Sequence, residues 1–197
     1  MTENVKRKII AIVGMAGAGK TEAASVFVSS GWRLVRFGQI TLDEVMRRGW
    51  EVNEENEKKV REEFRRLHGM AAYAVTNIPK IEESLSQGNV VIDGMYSWSE
   101  LKALREKYGK QLFVLAVYAS PETRYGRLEG RAGRHGEDTE RKFRSFPREQ
   151  SAARDVAEIE NLEKGGPIAM AEYTIVNEGS LEGFREEVTQ FVLSMSS

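Results

Sequence analysis

Apolar residues gather into five short runs, at 9–13, 34–37, 90–92, 112–118 and 173–176. Three of the five are almost continuously apolar, the pattern of strands buried on both faces. The run at 34–37 is the weakest. Between the runs lie stretches of helical character at 20–29, 54–66, 70–85, 99–108, 121–130 and 181–193. In the second of these, Glu54, Glu55, Glu57 and Glu62 each stand four residues before a cation: Lys58, Lys59, Arg61 and Arg66. That is the order that supports a helix through side-chain pairs. Pro121 suits a first helical turn, with Ser120 before it as the cap. Strands alternating with helices predict a doubly wound parallel α/β sheet. Ligands of such sheets bind at the carboxyl ends of the strands.

The 197 residues are enough for one domain with a substantial core. The formal net charge of -1 gives no argument for nucleic acid or a membrane surface as partner. The chain has no cysteine, so disulfides and thiolate metal sites are excluded. Segment 1–8 is polar and of mixed charge, and no later apolar run nears the roughly 20 residues of a membrane span. The expectation is a cytoplasmic protein, with its oligomeric state open.

The sharpest chemical signal follows the first strand. It reads Gly14-Met15-Ala16-Gly17-Ala18-Gly19-Lys20-Thr21, with a helix beginning at Lys20. Glycine, four residues and Gly-Lys-Thr form the phosphate-binding P-loop pattern. Glycines let successive backbone N–H groups turn inward on phosphate oxygens, and the helix adds its positive end. Gly14, Ala16, Gly17, Ala18, Gly19, Lys20, Thr21 and Glu22 are therefore candidates for holding ATP. Lys20 is expected to face solvent and reach the β- and γ-phosphates, and Thr21 to place its hydroxyl on Mg²⁺. The second acid is Asp93, at the carboxyl end of the 90–92 strand, where it completes an Mg²⁺ site with Thr21. Asp-Gly after a strand also serves as a plain turn.

The segment Ile92-Asp93-Gly94-Met95-Tyr96 resembles the Asp-Gly motif of adenylate-kinase-type nucleoside monophosphate kinases. Those kinases follow it with an aromatic residue, Pro and an Arg that grips the acceptor phosphate. This chain has Tyr96-Ser97-Trp98 there. Arg124, Arg127 and Arg131 resemble the helix that enters the lid of the same kinases. The resemblance puts Arg127 on adenine and Arg131 on the transferred phosphate, and makes Arg154-Asp155 the return helix. Residues 124–154 hold nine Lys or Arg against five Asp or Glu, and Gly130, Gly133 and Gly136 lie among them. A solvated basic helix and loop has the same composition.

Residues 171–182, from Ala171-Glu172-Tyr173 to Asn177-Glu178-Gly179-Ser180, resemble the end of dephospho-CoA kinases. By that resemblance Asn177, Glu178 and Gly179 meet the adenine. A strand end followed by an Asn-Gly type turn accounts for them too.

On the acceptor side Phe37-Gly38-Gln39-Ile40 follows the weak strand. Dephospho-CoA kinases have an aspartate near Gln39, and glutamine cannot serve as a base. A phosphate acceptor needs none, and a hydroxyl acceptor would draw on Asp93 or Asp43. Phe-Gly and the Arg65-Arg66-Leu67-His68-Gly69 segment resemble archaeal-type P-loop kinases of this superfamily. Gln39, Arg65 and Tyr96 are acceptor candidates. Trp50 and Trp98 fill a core or stack on a base, and His68 and His135 receive no role.

The sequence thus predicts a three-layer α/β/α P-loop NTPase fold with a five-stranded parallel sheet. The whole chain, 1–197, reads as one kinase domain, with an acceptor-binding region about 38–88 and an Arg-rich lid about 124–160. The expected activity is transfer of the γ-phosphate of MgATP to a nucleotide-like small molecule of nucleoside monophosphate or dephospho-CoA type. Lys20, Asp93, Arg131 and Arg154 are the catalytic candidates. The alternative is a nucleotide-responsive switch or slow NTPase that acts through a protein partner. No Asn-Lys-x-Asp guanine-reading motif occurs, which favours adenine.

Overall fold

The computed structural model describes residues 7–129 and 147–196. Five parallel strands form one sheet in the order β2-β3-β1-β4-β5. They are β1 (Ile9–Val13), β2 (Arg33–Arg36), β3 (Val90–Asp93), β4 (Leu112–Tyr118) and β5 (Tyr173–Val176). The five runs of the sequence are these strands, with β2 one residue earlier than its apolar run. Only Val35 of β2 is fully buried, because β2 lies at the edge of the sheet. The helices are α1 (Lys20–Ser29), α2 (Gln39–Arg47), α3 (Glu54–His68), α4 (Ala72–Gln87), α5 (Trp98–Tyr108), α6 (Pro121–Glu129), α7 (Arg148–Leu162), the short α8 (Gly165–Ala169) and α9 (Leu181–Ser196).

Strand residues alternate between two apolar cores. Ile9, Ala11, Val90, Ile92, Val114 and Ala116 pack against α4 and α5 through Ile81, Leu101 and Leu104. Ile10, Ile12, Val91, Leu115 and Val117 pack against α1 and α9 through Phe27, Phe184 and Val188. This is the three-layer α/β/α arrangement. From β1 the chain crosses β3 to reach the edge strand β2, whereas β4 pairs with β1 on its other side. The switch in direction lies at β1, so the crevice opens where the phosphate-binding loop begins.

Local capping agrees with the sequence. Asn53 caps α3 by accepting from the Asn56 amide at 3.0 Å. Ser97 and Glu100 form a reciprocal capping box on α5. Ser120 accepts from the Thr123 amide at 3.3 Å, as its place before Pro121 predicts. On α3 the Glu55–Lys59 and Glu57–Arg61 pairs form at 2.7 and 3.3 Å, and Lys58 turns to Glu62 at 3.8 Å. Three helices lie outside the helical stretches that the sequence pattern predicts: α2 and α8, short at nine and five residues, and α7, which only the resemblance of Arg154-Asp155 to a return helix suggests. Among the described residues no helix is long and apolar enough to cross a membrane.

Candidate active site

The loop from Gly14 to Lys20 turns only because three of its residues lack a side chain. Gly14, Gly17 and Gly19 have φ of 143°, 81° and 111°, values that L side chains rarely adopt. Space is equally decisive. A Cβ on Gly14 would stand 2.3 Å from the Val117 carbonyl oxygen, and one on Gly17 2.8 Å from that of Arg124. One on Gly19 would stand 2.4 Å from Asn177 Nδ2. The loop is thus wedged between β4, α6 and the end of β5.

Lys20 is half-buried rather than facing solvent, the position the sequence led us to expect. Its Nζ donates to the Met15 carbonyl at 2.9 Å, which folds the side chain back over the loop. Burial, and next the charge of Lys164, push its pKa down to about 7, while Asp93 and Glu158 act in the opposite direction. An ammonium held under such conditions favours a polyanion beside it, so the loop fits the phosphates of a nucleotide. Asp93 is half-buried at the end of β3, level with Ile12 of β1 and Arg36 of β2. Thr21 is half-buried in the first turn of α1. Among the described residues no three His, Asp or Glu side chains gather as a metal site. Thr21 and Asp93 suit an Mg²⁺ that takes its remaining oxygens from phosphate and water.

Several predicted residues have other employment. Glu22 points to the last helix and pairs with Arg185 at 2.7 Å. Arg124 is engaged inside the fold. It is 4% exposed, bound to Asp155 at 2.6 Å, and it donates to the carbonyls of Ala16 and Ala119, both at 3.1 Å. It therefore fastens α6 and α7 to the loop. Tyr125 adds a hydrogen bond to Asp155 at 3.0 Å. Asn177 is buried, with Nδ2 donating to the Ala18 carbonyl at 2.8 Å and Oδ1 accepting from Arg127 at 3.2 Å. Its side chain is engaged in holding the loop. Glu178 caps α6 by accepting from the Ser120 amide and the Thr123 hydroxyl. Gly179 stands in open space. Arg131, with Gly130, Gly133, Arg134, His135, Gly136 and Arg144, lies outside the described residues.

The acceptor candidates do not converge on one point. Gln39 donates to Asp43 at 3.0 Å, and Lys80 bridges to the same carboxylate at 3.0 Å. The Gln39 hydrogen bond is the main reason that the Asp43 pKa falls below its ordinary value. That makes Asp43 a poor base. Arg65 lies over the Tyr73 ring at 5.8 Å, and the Tyr73 hydroxyl bonds Thr41 at 2.7 Å. Trp50 is on the surface under Arg48, and Trp98 packs on the core that α5 covers. Tyr96 is different. It is half-buried, its pKa rises through burial and the neighbouring charge of Asp93, and Lys164 Nζ sits 4.7 Å from its ring centroid.

Lys164 and Glu158 are the residues that sequence reasoning missed. Lys164 is 3% exposed and Glu158 6%. They contact each other, and Arg154 Nε donates to the second Glu158 oxygen at 2.9 Å. The available signal was Glu158 standing four residues after Arg154, on one helix face.

Comparison with known proteins fits this geometry. A family profile described as AAA domain matches residues 10–157. A "UPF0200 protein" of Thermococcus kodakarensis is 34% identical over 93% of this chain and 96% of its own length. One of Hyperthermus butylicus is 36% identical, covering 94% of each. The chain belongs to the UPF0200 family and carries the AAA domain. A "UPF0200/UPF0201 protein" of Archaeoglobus fulgidus is 32% identical, and the chain spans 57% of that relative's length. These archaeal relatives agree with the archaeal-type resemblance seen in the sequence. Among solved structures, this UPF0200 protein is similar to a gluconokinase of Sinorhizobium meliloti (TM-score 0.55, 14% identity, 95% and 93% of the two chains). It is also similar to shikimate kinase of Acinetobacter baumannii (TM-score 0.53, 19% identity, 96% and 94%). At these identities the likeness is one of fold: a P-loop kinase fold.

Proposed function

We propose that the protein is an ATP-dependent phosphotransferase, moving the γ-phosphate of MgATP to a nucleotide-like small molecule. The observation that carries this reading is the phosphate loop wedged between β4, α6 and the end of β5, with Lys20 folded over it and Asp93 at the end of the neighbouring strand β3. The Arg124–Asp155 pair ties α7, which carries Arg154, to the same loop. A loop that only bound nucleotide would need no cations from a distant helix. A transferring phosphoryl group, with charge spread over its oxygens, does.

In this reading Lys20 and the loop amides hold the phosphates. Thr21 and Asp93 hold Mg²⁺, which would supply charge neutralisation between the β- and γ-phosphates. Arg127, Arg131 and Arg154 close over the donor. Residues about 38–88 form the acceptor region and about 124–160 the lid of a single kinase domain. With Asp43 committed to Gln39 and Lys80, an acceptor that is already a phosphate is favoured. A hydroxyl acceptor would depend on Asp93 for its proton. The fold likeness to a gluconokinase and a shikimate kinase supports a small-molecule acceptor, and it widens the set to test.

The test is ATP consumption with Mg²⁺ against each nucleoside monophosphate, dephospho-CoA, shikimate, gluconate and no acceptor. We expect one acceptor to stimulate turnover, with its phosphorylated product visible by mass spectrometry. Slow turnover that no acceptor changes, together with tight ATP binding, would replace this reading by that of a nucleotide-responsive switch.

A further inference from the structure

The peptide between Ala16 and Gly17 is held from outside the phosphate loop. Arg124 Nη1 donates to the Ala16 carbonyl at 3.1 Å. Among the described residues that is the one hydrogen bond this carbonyl receives. A Cβ on Gly17 would meet the Arg124 carbonyl oxygen at 2.8 Å, so α6 covers the outer side of the peptide. The peptide is planar and trans, and its N–H points opposite to its C=O. With the Ala16 oxygen turned out to Arg124, the Gly17 N–H is turned away from α6, toward the hollow of the loop. That N–H has no hydrogen-bond partner among the described residues. Gly17 is half-buried, and a donor in such a place calls for an acceptor from a ligand or water.

Arg124 is itself held at each of its nitrogens. Nε donates to the Ala119 carbonyl just after β4, Nη1 to Ala16, and Nη2 meets Asp155 of α7 at 2.6 Å. A planar guanidinium faces three such partners at once, whereas an ammonium gathers its donors on a single nitrogen. Asp155 is 6% exposed, and both of its printed bonds, from Arg124 and the Tyr125 hydroxyl, run to α6. Its other oxygen, and Ser151 Oγ one turn earlier on α7, have no partner among the described residues. A buried ion pair gains little stability over apolar packing of the same volume. What this pair supplies is direction. Asp155 also neighbours Arg154, so one ion pair sets both the seat of α7 and the aim of the Gly17 amide.

We propose that Arg124 and Asp155 are positioning residues of the phosphate loop: Asp155 orients the Arg124 guanidinium, which holds the Ala16 carbonyl outward and so aims the Gly17 amide at a phosphate oxygen of the nucleotide. The proposal rests on the part of the phosphotransferase reading that puts nucleotide phosphate in this loop. It adds that seating α7 and binding phosphate reinforce each other.

ADP is the probe, titrated with Mg²⁺ into the full chain by calorimetry, with thermal unfolding of each variant alongside. Arg124→Met/Asp155→Leu removes both buried charges together, a change that apolar packing can offset. It is expected to unfold near the wild-type midpoint and yet to bind ADP about tenfold more weakly. Arg124→Lys keeps a cation beside Asp155 without the fork, and should lose affinity to a similar degree. Amide NMR supplies the readout that a purely structural pair would not move. The Gly17 N–H resonance should shift when ADP binds the wild type, and shift much less in both variants at saturating ADP. ADP affinity within about twofold of the wild type in a folded variant, or an undiminished Gly17 shift, overturns the proposal. If the double variant does not fold, Arg124→Lys decides by the same two readouts, measured well below its own unfolding midpoint. A wild type that binds no ADP overturns the nucleotide-loop reading and this proposal with it. ADP binding that the variants leave untouched overturns this proposal alone.

Discussion

Asn177 and Ala18 are 159 residues apart in the chain and joined by a hydrogen bond of 2.8 Å from the Asn177 amide to the Ala18 carbonyl. The same side chain accepts from Arg127 at 3.2 Å. One buried amide therefore links the phosphate loop, the end of β5 and α6. Asn177→Ala leaves the Ala18 carbonyl without its donor, a cost of about 1–3 kcal/mol. Asn177→Asp should do at least as badly, since a carboxylate cannot donate to a carbonyl. Thermal unfolding would show the loss, and ADP titration should show weaker binding in both variants. Unaltered ADP affinity in both would mean that the loop keeps its shape without this link.

The glycines of the loop separate strain from mere mobility. Gly17→Ala faces a φ of 81° and a contact of 2.8 Å with the Arg124 backbone oxygen, which is held in a helix and cannot give way. We expect it to lose ADP binding and stability together. Gly126→Ala is the control: it lies inside α6, and a Cβ there meets nothing within 4 Å. It should stabilise the fold by about 0.5–1 kcal/mol through the unfolded chain. Denaturant unfolding of the two variants checks both signs. Equal effects would remove the claim that the loop is sterically wedged.

The strands and the loop were legible because their causes are local. A two-face-buried strand writes itself as an apolar run, and a phosphate loop as fixed glycines before Lys20. The roles of arginines were not legible, because an arginine in sequence does not say what it faces. Arg124 sits among lid-like residues yet is buried on Asp155. Lys164 stands in a polar connection and yet is almost fully buried, through a left-handed turn at Glu163 that no residue preference announces. Asn177 was placed at the right end of β5, and its partners came only with the three-dimensional path of α1 and α6.

Glu100 supplies a pH dependence of stability. It is 3% exposed and accepts from the Tyr96 and Ser97 amides at 2.7 and 2.9 Å. Burial pushes its pKa up from 4.5 to about 7 in spite of those bonds. Between those values the folded state binds more protons than the unfolded chain, so stability falls as pH rises from about 4.5 to 7 and then levels. Glu100→Gln keeps the acceptor oxygen and removes the titration. It should match the wild type near pH 4 and exceed it at pH 8 by up to about 3 kcal/mol. Urea unfolding across that range decides it. A variant less stable than the wild type at pH 8 would show that the carboxylate is worth more charged than neutral.

Lys20 carries the same logic into binding. Its pKa stands at about 7 against 10.5 for the free side chain, from burial first and then the charges of Lys164 and Arg154, with Asp93 and Glu158 opposing. A folded pKa below the unfolded one means that stability rises with pH between about 7 and 10.5, where the unfolded chain binds the extra proton. At pH 8 most of the nucleotide-free protein therefore has a neutral amine in the loop. A polyphosphate laid against it favours the ammonium and draws a proton from solvent. Calorimetric titration of ADP at pH 8 in buffers of different ionisation enthalpy should give an apparent enthalpy that varies with the buffer. The slope should correspond to uptake of well over half a proton, and it should fall away toward pH 6. In Lys20→Met any remaining ADP binding should lose the effect. ADP binding at pH 8 with no uptake would mean that Lys20 is charged before nucleotide arrives, and that Asp93 and Glu158 outweigh its burial.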